Sequence, residues 1–289
     1  MALLHVDFYS QKLRMASSMD VILPETNQGI GVDGSAAWDG ESLLPVLYLL
    51  HGTTDDHTIW QRRTSVERYC AGRRLAVVMP NAHLSAYCNQ KHGHDYLDFI
   101  TEELPDICSK LFRISRKRED NFVAGLSMGG YGALKCALNY PEKYAMAAGM
   151  SSGVDRLCQL PEAWQDFKSM ADFEHLHEED RPVWDQLTQF ALNFGNPAEY
   201  LASEQNNLFL LLRRQVERGV ALPQLYLSCG TEDALAWEPN QRFRALLEEL
   251  KVPYTWEELP GKHEWRLWDI FIQTILDMLP IAGNRPVSL

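Results

Sequence analysis

The sequence predicts an α/β fold with a doubly wound, mostly parallel central sheet and helices on both faces. Three observations carry this. Apolar runs at 46–50, 75–79, 121–124, 145–150 and 225–229 have the unbroken character of strands buried on both faces. Segments of helical period stand between or after them, at 95–112, 128–140, 240–251 and 265–279. Strands alternating with helices give a parallel sheet, and sites in such sheets form at the carboxyl ends of the strands. The chain has 289 residues. A chain of that size buries about three-quarters of its unfolded surface, so 1–289 is read as one domain, with 152–219 as a cap or insertion.

Taken in order, 6–10 and 13–23 read as an antiparallel hairpin at a sheet edge. Residues 27–40, rich in Gly, Asp and Ser, read as a flexible loop. The strand 46–50 ends in His51-Gly52-Thr53-Thr54, and 75–79 ends in Pro80-Asn81. The helix 95–112 lines up Leu97, Ile100, Leu104, Ile107, Cys108 and Leu111, and Pro105 should kink it by removing one backbone bond. Residues 225–229 lead into Gly230-Thr231-Glu232-Asp233, and a last strand, 255–259, leads into Pro260-Gly261-Lys262-His263. The stretch 152–219 breaks the alternation. It holds Trp164, Phe167, Phe173, Trp184, Phe190 and Phe194 among many acids, and fits either helices packed over the sheet edge or a cap over the site.

Hydrophobic content of 46% and charged content of 23% are ordinary for a globular protein. A net charge of −12 argues against nucleic acid as a partner, because a phosphate backbone would be repelled. No run approaches membrane-spanning length, and the first ten residues lack a leader-type apolar core. Cys70, Cys88, Cys108, Cys136, Cys158 and Cys229 are scattered without a C-x-x-C pair. They read as reduced thiols, so a cytoplasmic protein with no membrane partner is expected.

The chemistry centres on Gly125-Leu126-Ser127-Met128-Gly129, set between the strand 121–124 and the helix 128–140. Ser127 then sits on a sharp strand-to-helix turn, at a helix N-terminus that favours a developing anion. Ser127, Asp233 and His263 end three strands, in the chain order of an α/β-hydrolase triad. A serine hydroxyl needs an imidazole to take its proton, and a carboxylate to orient that imidazole. Asp155 and Glu232 compete for the acid role. The oxyanion would be held by the backbone N–H groups of Thr53 and Met128. Trp60, Tyr87 and Trp237 follow strand ends and read either as walls of an acyl or alcohol pocket or as loop packing. His51 reads as a structural side chain beneath the oxyanion loop. The pairs His92/His94 and His175/His177 lack a third ligand nearby, so no metal site is expected.

Leu50-His51-Gly52 with Trp60 downstream, Met79-Pro80-Asn81, Gly125-Leu126-Ser127-Met128-Gly129-Gly130-Tyr131-Gly132, Cys229-Gly230-Thr231-Glu232-Asp233 and His263-Glu264-Trp265 are telling together. They resemble the tributyrin-esterase branch of the esterase D family, which includes S-formylglutathione hydrolases and is related to acetyl-xylan and feruloyl esterases. The likeness runs from about Val46 to Asp269. It implies Ser127 as nucleophile, Asp233 as acid, His263 as base, Thr53 and Met128 as oxyanion donors, and no cofactor. It also implies a small-molecule acyl ester of short chain, or a thioester, as substrate.

The expected function is a serine carboxylesterase working through an acyl-enzyme. S-formylglutathione hydrolysis and removal of acetyl groups from carbohydrate are the alternatives within that chemistry. A catalytically silent binding protein on the same scaffold is the alternative outside it. A homo-oligomer stays open.

Overall fold

The computed structural model describes residues 1–25, 38–176 and 180–281; most of the loop expected at 27–40 lies outside them. An eight-stranded sheet runs in the order β1-β2-β4-β3-β5-β6-β7-β8. Its strands are β1 (Ala2–Ser10), β2 (Met15–Leu23), β3 (Val46–Leu50), β4 (Ala76–Pro80), β5 (Asn121–Leu126), β6 (Met146–Met150), β7 (Gln224–Gly230) and β8 (Tyr254–Leu259). The edge hairpin is there: β1 and β2 pair antiparallel, and β2 joins β4 antiparallel. All other pairs are parallel. β1 alternates half-buried Leu4, Val6 and Phe8 with exposed Leu3, His5 and Asp7, as an edge strand with one wet face does.

From β3 the chain first passes outward to β4, then returns to β5 on the other side of β3. The order reverses between β3 and β5, and a crevice opens at such a reversal, outside the carboxyl ends. The loops after both strands, bearing Gly52-Thr53 and Ser127, meet there.

The core lies in two layers, one on each face. Val46, Tyr48 and Leu50 of β3 point into one, with Leu134, Leu138 and Phe243. Leu47 and Leu49 point into the other, with Phe271, Ile272 and Ile275 of the last helix. Strict alternation along a wholly buried strand feeds both. The helices are α1 (Ile59–Arg63), α2 (Val66–Cys70), α3 (Tyr96–Asp98), α4 (Leu104–Leu111), α5 (Met128–Asn139), α6 (Arg181–Phe194), α7 (Pro197–Ala202), α8 (Leu208–Glu217), α9 (Trp237–Glu249) and α10 (Trp265–Met278).

The helix expected over 95–112 is not one regular rod. A π-helical turn, Phe99–Glu103, joins α3 to α4 just before Pro105. Pro105 has no N–H to offer the preceding turn. The Thr101 carbonyl instead accepts a hydrogen bond from Lys143 Nζ at 3.1 Å. The local widening thus accompanies the proline, and a lysine from the loop after α5 serves the carbonyl.

Residues 152–219 carry short 3₁₀ turns and then α6, α7 and α8. Their aromatic residues bury one another: Phe190 lies 5.1 Å from Phe194 and 5.7 Å from Tyr200, and Phe167 lies 5.3 Å from Phe173. Phe194 also meets Tyr131 of α5 edge-on at 6.4 Å. No described helix is long and apolar enough to cross a membrane.

Where α5 leaves β5, backbone lies against backbone. A Cβ on Gly125 would stand 2.4 Å from the Gly129 carbonyl, and one on Gly129 would stand 2.4 Å from Leu50 O and 2.6 Å from His51 O. None of these atoms is a side-chain end that can swing aside. Gly129→Ala should therefore cost at least ~1–3 kcal/mol, the range for overpacking. Urea unfolding checks this; a midpoint within error of wild type would contradict the contact.

Candidate active site

Ser127 is the N-cap of α5, with φ 52° and ψ −115°. A positive φ on a residue with a Cβ costs about 1–3 kcal/mol and persists only when surroundings enforce it. Here they do. The Ser127 N–H donates to Met150 O at 2.8 Å, and the Ser127 carbonyl accepts from Tyr131 N and Gly153 N, each at 3.0 Å. The strain raises the side chain out of the sheet. Directly after it, Met128 is the first helical residue, so its N–H has no acceptor within the helix.

Asp233 and His263 follow β7 and β8, whose loops are stitched together: Thr231 N–H donates to Leu259 O and Glu232 N–H to Gly261 O. Asp233 is fully buried. Its Oδ1 accepts the N–H groups of Leu235 (3.1 Å) and Ala236 (3.0 Å). Its Oδ2 lies 2.7 Å from His263 Nδ1. Burial works against ionisation of this carboxyl, but the bond to His263, the ring's charge and the Ala236 N–H together hold it below the usual carboxylate range. An ionised acceptor at Nδ1 fixes the proton there and leaves Nε2 as the basic nitrogen. The imidazole is about one-fifth exposed and stands edge-on to Trp268 at 4.9 Å. Asp155 is committed elsewhere, paired with Arg242 at 3.0 Å, and Glu232 is exposed.

Thr53 is the third residue of the loop after β3, and buried His51, the first, shapes that loop. His51 Nε2 accepts the Ala82 N–H at 2.9 Å. A backbone N–H can only donate, so Nε2 is bare and Nδ1 carries the proton. Nδ1–H then donates to Gly52 O at 2.7 Å. In a trans peptide the N–H points opposite the carbonyl, so this bond also sets the direction of the Thr53 N–H. Tyr87 adds a bond from its hydroxyl to His51 O at 2.9 Å. The structural reading of His51 holds, and its reach is longer than the sequence suggests.

A cavity of about 520 Å³ opens above these groups. Gly52, Thr53, Ser127, Ser151, Gly153 and His263 line it, with Asp55, Leu235, Trp265 and Trp268, and with Cys158, Gln159 and Gln186 from the 152–219 stretch. Among the described lining residues there is no lysine or arginine.

The three aromatic residues expected as pocket walls are not among them. Trp60 is fully buried. Its indole donates to Leu50 O at 3.1 Å and its ring supports Trp265 edge-on at 5.2 Å. Tyr87 is buried beneath the loop bearing Thr53, and Trp237 packs on Trp256 at 6.1 Å. Proximity to strand ends was the signal for all three, and it does not tell which side of a loop a ring takes. The walls come instead from Trp265 and Trp268, at the start of the helix following His263. Of the histidine pairs, His92 is exposed and His94 packs on Tyr96; His177 lies outside the described residues.

The fold and this site define a serine hydrolase of the α/β-hydrolase class. A family model described as "Putative esterase" matches residues 35–280, and the chain belongs to that esterase family. It is 32% identical to a fluorophosphonate-binding serine hydrolase of Staphylococcus aureus, with 95% of this chain and 96% of that one covered and a TM-score of 0.73. An S-formylglutathione hydrolase of the same organism gives 32% identity, the same coverage and a TM-score of 0.72. An acetyl esterase of Caldicellulosiruptor saccharolyticus is 26% identical over 282 residues, covering 96% of this chain and 98% of the relative. The protein is a serine carboxylesterase.

Burial pushes the His51 pKa down from 6.5 to about 4. Between those values the unfolded chain binds the extra proton, so stability is lost as pH falls through that window. Wild type should lose roughly 2–3 kcal/mol from this group between pH 7 and pH 4.5. Urea unfolding at both pH values should show His51→Gln losing that much less; equal losses would contradict it.

Proposed function

We propose that this carboxylesterase hydrolyses short-chain acyl esters with Ser127 as nucleophile, His263 as general base and Asp233 as its orienting acid. The backbone N–H groups of Thr53 and Met128 hold the oxyanion. One observation carries the reading: a strained N-cap serine and a carboxylate-bound imidazole open on the same cavity. Ser127 attacks the ester carbonyl as His263 Nε2 takes its proton. The charge on the carbonyl oxygen meets Met128 N–H and Thr53 N–H. The imidazolium, stabilised by Asp233, passes the proton to the leaving alcohol. Water then enters, gives its proton to the same nitrogen and releases the acid.

The acetyl esterase relative and the modest cavity support a small acyl group. Cys158, Gln159 and Gln186 in the cavity wall support reading 152–219 as a cap within one domain. The free state of all six cysteines supports a cytoplasmic setting.

A second reading, hydrolysis of a glutathione thioester, rests on Arg156. It lines a groove that shares Thr53, Thr54, Gln159 and Gln186 with the main cavity. Among the described lining residues of that groove it is the one cation, so its guanidinium is suited to a peptide carboxylate. Rates on p-nitrophenyl butyrate and S-formylglutathione, measured for wild type and Arg156→Ala, separate the two. A loss confined to the thioester favours the second.

Ser127→Ala should lose at least ~10³-fold in kcat on p-nitrophenyl butyrate and all labelling by a fluorophosphonate probe. Asp233→Asn should lose about 10⁴-fold while remaining folded, because the imidazole takes the wrong tautomer. Near-wild-type turnover in either variant would overturn the assignment.

A further inference from the structure

Outside the cavity, three potential metal ligands converge. His5 on β1, Asp20 on β2 and His57 in the loop between β3 and α1 bring their ligand atoms within 4.8 Å of one another. His5 and Asp20 face each other across the edge hairpin, with His5 Nδ1 2.7 Å from Asp20 Oδ1. The His57 ring lies 5.0 Å from the His5 ring. Both nitrogens of His57 are shut off from solvent and lack a hydrogen-bond partner among the described residues. A buried imidazole with neither nitrogen satisfied is costly, and in native proteins such a group calls for a water or an ion.

We propose that His5 Nδ1, Asp20 Oδ1 and a ring nitrogen of His57 form a binding site for a divalent transition-metal ion, best matched by Zn²⁺ with water as fourth ligand. Two imidazoles and one carboxylate suit zinc's borderline character, whereas Ca²⁺ and Mg²⁺ seek all-oxygen shells. The outer groups are also arranged as such sites require. His5 Nε2 lies 3.4 Å from Asp7 Oδ1, the carboxylate–histidine arrangement that turns the other ring nitrogen toward a metal. Ser18 in turn donates to Asp7 at 2.5 Å. Asp20 Oδ2 accepts from Gln61 Nε2 at 3.0 Å, which holds Oδ1 toward His5 Nδ1; an ion entering between them takes the place of the proton they share.

The role is structural or regulatory. His57 lies in the same loop as Thr53, so the ion ties that loop to the β1–β2 hairpin. No step of ester hydrolysis passes through it. No local pattern groups these ligands, because they stand at positions 5, 20 and 57.

The test is calorimetric titration of ZnCl₂ into the full-length protein after dialysis against a chelator, with circular dichroism as the check on folding. One Zn²⁺ per chain should bind, and the unfolding temperature should rise with Zn²⁺ concentration. Co²⁺ in its place should give visible absorption bands. His57→Ala should abolish that binding event. Asp7→Asn, at a side chain 72% exposed and so without risk to the fold, should weaken it by about 10–100-fold. Absence of Zn²⁺ binding to wild type would overturn the proposal. So would an isotherm unchanged in both His57→Ala and Asp7→Asn, since the ion would then sit on other groups.

Discussion

Gly125 and Gly129 let the first turn of α5 rest directly on the carboxyl ends of β3 and β5, main chain against main chain. This contact sets the height of Ser127 above the sheet. It also sets the distance from Ser127 to the loop bearing Thr53, because Gly129 is pressed on the carbonyls of Leu50 and His51. The strained dihedrals of Ser127 are kept by three backbone hydrogen bonds, to Met150, Tyr131 and Gly153. Without the close approach, the helix would stand off and the two expected oxyanion donors would separate.

Around that contact the site is made of groups whose hydrogen bonds are already spent on position. Asp233 uses one oxygen on two backbone N–H groups and the other on His263. His51 uses both ring nitrogens on backbone, one on each of the loops after β3 and β4. Such groups have little freedom left to lose, and little reorganisation is needed as charge develops above them. The aromatic series His263, Trp268, Trp265 and Trp60, in edge-on contact from ring to ring, braces the imidazole from the side of α10.

The stretch that interrupts the strand–helix alternation enters at the rim. The 152–219 stretch supplies Cys158, Gln159 and Gln186 to the cavity and Arg156 to the groove beside it. Cys158, Gln159 and Gln186 share the cavity wall with Asp55. Burial raises the Asp55 carboxyl pKa against the opposing pull of the Gly52 N–H.

Much of this was legible in the linear chain. The apolar runs at 46–50 and 121–124 read as strands covered on both faces, and the glycine pair around Ser127, set between strand and helix, reads as a sharp turn. Chain order then put Ser127, Asp233 and His263 at the carboxyl ends of three strands of one sheet. Local pattern could not say which way a ring turns after its strand ends: Trp60 and Tyr87 went under the loops, while Trp265 and Trp268 took the wall. Nor could it show that a carbonyl freed by Pro105 is met by Lys143, or that His57 folds over His5 and Asp20. Periodicity and turn chemistry are encoded in near neighbours and so can be read one segment at a time. Side-chain destinations depend on which distant surfaces meet, and only packing the whole chain decides that.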